Sequence, residues 1–167
     1  SGLSDGRVVS VFAWAPDSSR IAFLCDKVFA GIFQLYSVKP ANSNDILISG
    51  GLANTNDVIN FEWSMDSSWI GYRVDAQNFE LYTTEPDNAN SNQIQKPPVL
   101  GGGNDVFEFK WAPNSARLAY TANFDQATVF ELFSSTPDNS ITDQVSGLLT
   151  VNGAVGEFKW SADSSSV

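Results

Sequence analysis

Four tryptophans, Trp14, Trp63, Trp111 and Trp160, stand 49, 48 and 49 residues apart. Each closes a Phe-x-Trp triplet and opens the same run of residues. The segments are Phe12-Ala-Trp-Ala-Pro-Asp-Ser-Ser-Arg-Ile-Ala-Phe23, Phe61-Glu-Trp-Ser-Met-Asp-Ser-Ser-Trp-Ile-Gly-Tyr72, Phe109-Lys-Trp-Ala-Pro-Asn-Ser-Ala-Arg-Leu-Ala-Tyr120 and Phe158-Lys-Trp-Ser-Ala-Asp-Ser-Ser-Ser-Val167. A period held through 167 residues marks a chain built by tandem repetition of one supersecondary unit. Such a unit cannot bury its apolar face alone, so neighbouring copies must stack.

Within each repeat the apolar residues alternate with a period of two. Phe and Trp at i and i+2 share one face of a strand, so the first strand ends at Phe-x-Trp. A turn follows at 15–19, 64–68 and 112–116, where Pro presets φ and Asp or Asn bonds the backbone two residues on. The pattern predicts second strands over 20–25, 69–74 and 117–122, and third strands over 32–38, 79–84 and 129–135. Fourth strands are read at 46–49, 98–100 and 148–151. Ala22, Gly71 and Ala119 hold one place in the second strand, where small side chains let neighbours approach closely.

Four strands in each period, with a Trp landmark, is the sequence pattern of propeller blades. The expected fold is all-β: blades of four antiparallel strands, three of them complete, plus the first strand of a fourth. The whole chain, 1–167, reads as one propeller segment. Its blades fall at about 7–52, 56–101 and 104–151, with a partial blade at 154–167.

The run Trp14-Ala-Pro-Asp-Ser-Ser-Arg-Ile-Ala-Phe23, followed by Leu35-Tyr36, resembles the motif of PD40 repeats. These occur in the TolB propeller and in the propellers of prolyl-oligopeptidase-like enzymes. The resemblance covers essentially the whole chain and implies a TolB-like β-propeller. There are departures: Ser18, Ser67, Ser115 and Ser164 stand where the family usually has Gly, so an altered turn geometry is expected. Met65 replaces Pro, and Asn114 replaces Asp. The resemblance also implies a bacterial periplasmic or secreted setting. No leader precedes Ser1, which reads as a mature form or an excised segment.

Composition narrows the function classes. The net charge is −10 and the nine Lys and Arg form no basic stripe, which argues against nucleic acid. No apolar run approaches the ~20 residues that span a bilayer as a helix, so membrane insertion is not expected. The chain has no histidine and one cysteine, Cys25, set in an apolar strand and read as a small buried hydrophobe. There is no Gly-x-Ser-x-Gly elbow. No catalysis, cofactor or metal is expected.

Candidate sites divide into recurring and unique residues. Asp17, Asp66, Asn114 and Asp163 recur by repeat, which favours a turn-stabilising role, since an active site would appear once. The four tryptophans read as packing between blades. The polar stretch 87–93 is rich in oxygen ligands, yet it lacks the Gly bend and closing Glu of a calcium loop and reads as solvated. Gly101-Gly-Gly103 lacks the Lys of a phosphate loop and reads as a connection. The residue between Phe and Trp is not repeated: Ala13, Glu62, Lys110 and Lys159. First strands line the channel of a propeller, so Glu62, Lys110 and Lys159 are candidate channel charges, with Glu62 and Lys110 the pair to expect. Independent solvated charges are the alternative.

The functional expectation is a non-catalytic interaction scaffold with a protein partner. The alternatives are an accessory propeller of a secreted hydrolase, or a propeller that binds a glycan or small ligand through aromatic residues. Known propellers close with about four or more blades, so three blades leave apolar faces open. Head-to-tail self-association would cover them. A dimer would give six blades, the number in TolB-like propellers, and a trimer nine.

Overall fold

The computed structural model describes residues 7–41, 44–50, 52–53, 55–88, 91–94 and 105–167. It is all-β, with no helix among the described residues. The first sheet comprises β1 (Val9–Trp14), β2 (Ile21–Cys25), β3 (Gln34–Val38) and β4 (Ile46–Leu47). The second comprises β5 (Asp57–Trp63), β6 (Ile70–Asp75), β7 (Phe79–Thr84) and β8 (Ser91–Ile94). The third comprises β9 (Val106–Trp111), β10 (Leu118–Ala122), β11 (Glu131–Ser135) and β12 (Thr142–Gln144). Each is an antiparallel meander in chain order.

Two fourth strands lie elsewhere than the apolar pattern places them. β12 forms at Thr142–Gln144, while Leu148 and Val151 are exposed and lie outside any strand. The cause is the turn after β11: Asn139 N–H donates to the Thr136 carbonyl and Thr136 N–H to the Ile141 carbonyl, so the chain reverses at once. The same Pro-Asp-Asn sequence reverses it after β7, where Asn88 N–H donates to the Glu85 carbonyl and β8 follows at Ser91–Ile94. Within the stretch 87–93, expected to be a solvated loop, residues 87–88 thus belong to a turn and 91–93 to a strand. The strand expected at 98–100, the glycines 101–103 and the opening Ser1-Gly-Leu3 lie outside the described residues. Residues 154–160 make a single parallel bridge, Phe130 to Ala154, and no ladder, because no second strand lies beside them.

The core lies between sheets rather than within them. One cluster joins Ala22, Leu24 and Leu35 of the first sheet to Val58, Trp63, Ile70 and Tyr72 of the second. Another joins Leu81 and Ile94 to Phe109, Trp111, Leu118 and Tyr120. A third joins Ala119 and Leu132 to Phe158, with Val155 and Trp160 against them. The strand period explains this. Cross-strand pairs such as Phe12–Phe23–Tyr36 place aromatics on the face toward the preceding sheet. The opposite face, with Ala22, Leu24 and Leu35, meets the following sheet. Stacked pairs recur on the aromatic face: Phe23–Tyr36, Tyr72–Tyr82 and Tyr120–Phe133, with centroids 5.6, 5.5 and 5.7 Å apart.

Gly71 is where this packing is tightest. A Cβ built there would sit 2.8 Å from Phe109 Cε2, so the phenylalanine of the third sheet occupies the space a side chain would need. Gly71→Ala is expected to cost about 1–3 kcal/mol by overpacking, read by urea denaturation. Trp63→Ala, which empties a buried site, is expected to cost about 3–5 kcal/mol.

Candidate functional site

The recurring residues converge on the seams between sheets. Three of the four Phe-x-Trp indoles reach back to the preceding sheet. Trp63 Nε1 donates to the Ala13 carbonyl at 3.3 Å, Trp111 Nε1 to the Glu62 carbonyl at 3.2 Å and Trp160 Nε1 to the Lys110 carbonyl at 3.0 Å. The acceptor is always the residue between Phe and Trp one repeat earlier. The indole thus fills the seam with apolar area and satisfies its one donor there.

The turn after each Trp makes a second link. Ser18, Ser67, Ser115 and Ser164 adopt φ of 62°, 65°, 61° and 61°, the left-handed conformation that suits glycine. The turn geometry is thus the one glycine would give, contrary to the altered turn expected from the departure. Serine is retained for a physical reason: its hydroxyl accepts the backbone N–H of the preceding turn. Asp17 N–H donates to Ser67 Oγ at 3.1 Å, Asp66 N–H to Ser115 Oγ at 3.0 Å and Asn114 N–H to Ser164 Oγ at 2.9 Å. The acidic or amide side chain closes the turn from within. Asp17, Asp66, Asn114 and Asp163 each accept the N–H two residues on, at 2.9–3.1 Å.

A third link closes the outer part of two seams. Arg20 Nη1 donates to Ser37 Oγ at 3.1 Å and to the Pro86 carbonyl of the second sheet at 3.0 Å, with Asp87 3.5 Å from Nη2. In the next seam Thr83 Oγ1 donates directly to the Pro137 carbonyl of the third sheet. Both contacts end on the proline of the turn between the third and fourth strands of the following sheet.

The chain's two ends differ. On the first sheet, Phe12 and Trp14 are 66% and 49% exposed, against 9% for Trp63 and 8% for Trp111. Trp14 is therefore not the buried residue its repeat position implies, because no sheet among the described residues packs against it. Ser18 is likewise exposed. On the third sheet, residues 154–167 cover the inner half of the face with Phe158, Trp160 and Ser164. The outer half opens into a pocket of about 320 Å³ lined by Arg117, Ser134, Asp143, Val145, Trp160 and Val167 among others.

The candidate channel charges meet only in part. Lys110 pairs with Glu108 of its own strand at 2.7 Å, rather than with Glu62. Its Nζ also donates to the Phe158 carbonyl at 3.2 Å and lies 5.0 Å from the Phe158 ring centre, so it spans the third seam. Burial pushes the Glu62 carboxyl up; the nearby Lys110 cation opposes this and Glu108 reinforces it. Lys159 is exposed on the C-terminal segment. Cys25 is buried, and burial raises its thiol pKa.

A second, polar cleft of about 460 Å³ is lined by Thr55, Asn56, Gln77, Asn78 and Glu80, with Ala53 and Ala76. Its described lining offers amides and hydroxyls but no aromatic ring on which a sugar could stack. Among the described residues no three His, Cys, Asp or Glu side chains gather as a metal site requires. None forms a helix long and apolar enough to cross a membrane.

No family profile and no curated protein matches the chain. Solved structures do. A protein assigned as TolB from Agrobacterium tumefaciens is similar over 82% of this chain and 46% of its own, with 16% identity and a TM-score of 0.58. A prolyl endopeptidase structure is similar over 85% of this chain and 20% of its own, with 12% identity and a TM-score of 0.60. An oligogalacturonate lyase from Vibrio parahaemolyticus is similar over 81% and 36%, with 12% identity and a TM-score of 0.54. The likeness establishes a propeller-type fold. The chain spans less than half the length of each of these structures.

Two outcomes follow from the turns. Ser67→Ala keeps the left-handed backbone strained and removes the acceptor of the Asp17 N–H, so it should cost about 1–2 kcal/mol. Ser67→Gly loses the same acceptor but relieves the backbone, so it should cost less than the alanine variant in urea denaturation. The second outcome concerns pH. The Ser161 hydroxyl and Ser165 N–H hold Asp163 down at about 2, and the Thr136 hydroxyl and Ser140 N–H do the same for Asp138. Asp17 is lowered chiefly by the Ser19 N–H; at Asp66 burial pushes upward but hydrogen bonds from Ser64 and Ser68 outweigh it. Carboxylates with depressed folded values stabilise the fold above their ordinary 3.8, and that contribution is lost as pH falls toward about 2. The melting temperature followed by circular dichroism should decline across that window, and less steeply in Asp138→Asn.

Proposed function

We propose that this chain is a non-catalytic protein-interaction scaffold of the TolB-like propeller type, made of three complete blades and the first strand of a fourth, which closes its ring by adding blades of its own kind. One observation carries the reading. Phe12, Trp14 and Ser18 carry on the first sheet the same three groups that form the seams between the sheets, and no sheet among the described residues packs against them. The recurring aromatics, turn acids and serines are committed to holding sheets together. Recognition of a partner then falls to the loops and to unrepeated charges such as Glu62 and Lys159. Likeness to a TolB structure supports a periplasmic or secreted setting, which an export signal ahead of this segment in its gene would test.

A second reading, an accessory propeller of a secreted hydrolase, is favoured by the likeness to a prolyl endopeptidase of which this chain matches only 20%. A hydrolase motif in the same gene would decide for it.

The self-closing scaffold is tested by light scattering in dilute buffer. The expected particle is twice the 18.1 kDa of the single chain, with three times that mass as the other closed form. A stable, non-aggregating particle of 18.1 kDa would refute ring closure by self-association. Trp14→Ala should shift the population toward the single chain.

A further inference from the structure

We infer that the polar cleft beside the turn between β6 and β7 is a binding site for a primary ammonium group on a short alkyl arm, with Glu80 as its counter-ion and the amides of Asn56, Gln77 and Asn78 around it. All of these residues belong to the second sheet and the connection leading into it, so the site does not depend on ring closure.

The cleft exists because one turn is short. Cys25 pairs with Gln34, Val74 with Glu80 and Ala122 with Glu131, so the equivalent turns occupy 26–33, 75–79 and 123–130, and the second is three residues shorter than the others. The second residue of the turn differs as well: Lys27, Ala76 and Phe124. In the first sheet the Lys27 ammonium lies 5.6 Å from the Tyr36 ring centre. In the third, Phe124 packs against Tyr120 and Phe133, with centroids 6.2 and 5.2 Å apart. Tyr36 and Phe133 are buried beneath these caps. Ala76 is too small to cap Tyr82, which is only half-buried, and the space opens as the cleft of about 460 Å³.

The charge at this place changes in the complementary sense. One position of the third strand is Gln34, Glu80 and Glu131 in successive sheets. Gln34 is neutral and buried, and Glu131 is buried and accepts the Leu149 N–H at 3.1 Å. Glu80 is half-buried and lines the cleft. One of its oxygens accepts the Tyr82 hydroxyl at 2.5 Å, and among the described residues no cation lies within ion-pair distance of it. Burial and the bond to Glu80 push the Tyr82 phenol up, so it stays a donor to the carboxylate. The first sheet thus places a tethered ammonium where the second leaves a space beside a carboxylate. In a chain of net charge −10 that space favours a cation. An ammonium has three donors, and the second Glu80 oxygen and the amide oxygens of Gln77 and Asn78 are the acceptors on offer. The Thr55 hydroxyl donates to Asn56 Oδ1 at 3.3 Å, which leaves the Asn56 amide nitrogen to bind a polar group beside the ammonium.

The test is two-dimensional NMR on the full, nitrogen-labelled chain, titrated at neutral pH with n-butylamine and, separately, with an acetylated and amidated Gly-Lys-Gly peptide; n-butanol is the uncharged control. Both amines are expected to displace the side-chain amide signals of Asn56, Gln77 and Asn78. Tighter binding of the peptide identifies a lysine of a partner protein as the source of the ammonium, and tighter binding of butylamine a free amine. Glu80→Gln, which copies Gln34 and keeps an acceptor for Tyr82, should weaken binding about tenfold, the worth of one charge-assisted hydrogen bond. Ala76→Lys, which tethers an ammonium as Lys27 does, should abolish binding and raise the melting temperature; a merely solvated surface would show neither change. The inference fails if neither amine displaces those signals at millimolar concentration, if butanol displaces them equally, or if both variants bind as the wild type does. Each of these failures leaves the light-scattering test of ring closure untouched.

Discussion

The indole hydrogen bond across the seam is the contact on which the rest of this structure depends. A four-stranded meander of this size has two apolar faces and no means of covering either. The Trp of each following sheet brings a large apolar surface to one of those faces and lays its N–H on a main-chain carbonyl of that sheet's first strand. That bond fixes the depth at which the indole sits, and the neighbouring Phe then falls against the small residue of the preceding second strand. Gly71 and Phe109 show how little slack remains. Turn, strand and core become consequences of one relation between consecutive sheets.

The turns add precision at a smaller energetic scale. A left-handed serine is strained relative to glycine by about 1–2 kcal/mol, and the hydrogen bond its hydroxyl accepts returns a comparable amount. The net stability is close to even, so the gain is in register. The hydroxyl of one turn and the N–H of its predecessor must meet, which sets the angle between sheets. The acid one position earlier holds the turn closed from inside, which is why its carboxyl is held below the usual range.

Much of this was legible in the repeat. Phe-x-Trp, the small residue of the second strand and the aromatic alternation of the third place the strands and the packed faces, because strand periodicity and side-chain volume are local properties. The fourth strands were misplaced in two sheets because apolar letters at 98–100 and 148–151 outweighed the turn chemistry of Pro86-Asp87-Asn88 and Pro137-Asp138-Asn139. Those triplets carry the same signal as Pro113-Asn114-Ser115, which was read correctly. The serine hydroxyl was missed as a link because a departure from glycine suggests only a different backbone; its recurrence at all four turns was the available clue. Burial of Trp14 could not be read from its equivalence to Trp63, since exposure belongs to the neighbour and not to the residue. The preference of Lys110 for Glu108 is likewise a matter of side-chain reach along one strand.

The indole and serine contacts join atoms that lie about one period apart in the chain: 50, 49 and 50 residues for the three indole bonds, and the same for the three serine bonds. Lineages of such chains can therefore change size by duplicating or deleting a complete period, since the new neighbours meet with the same groups as the old. A shift of a single residue inside a first strand has no such tolerance. It turns the Phe and Trp to the wrong side and moves the indole off its carbonyl at one stroke. Evolution of this architecture is thus coarse-grained: free in whole repeats, nearly frozen in register, and with the loops between strands left as the places where variation accumulates.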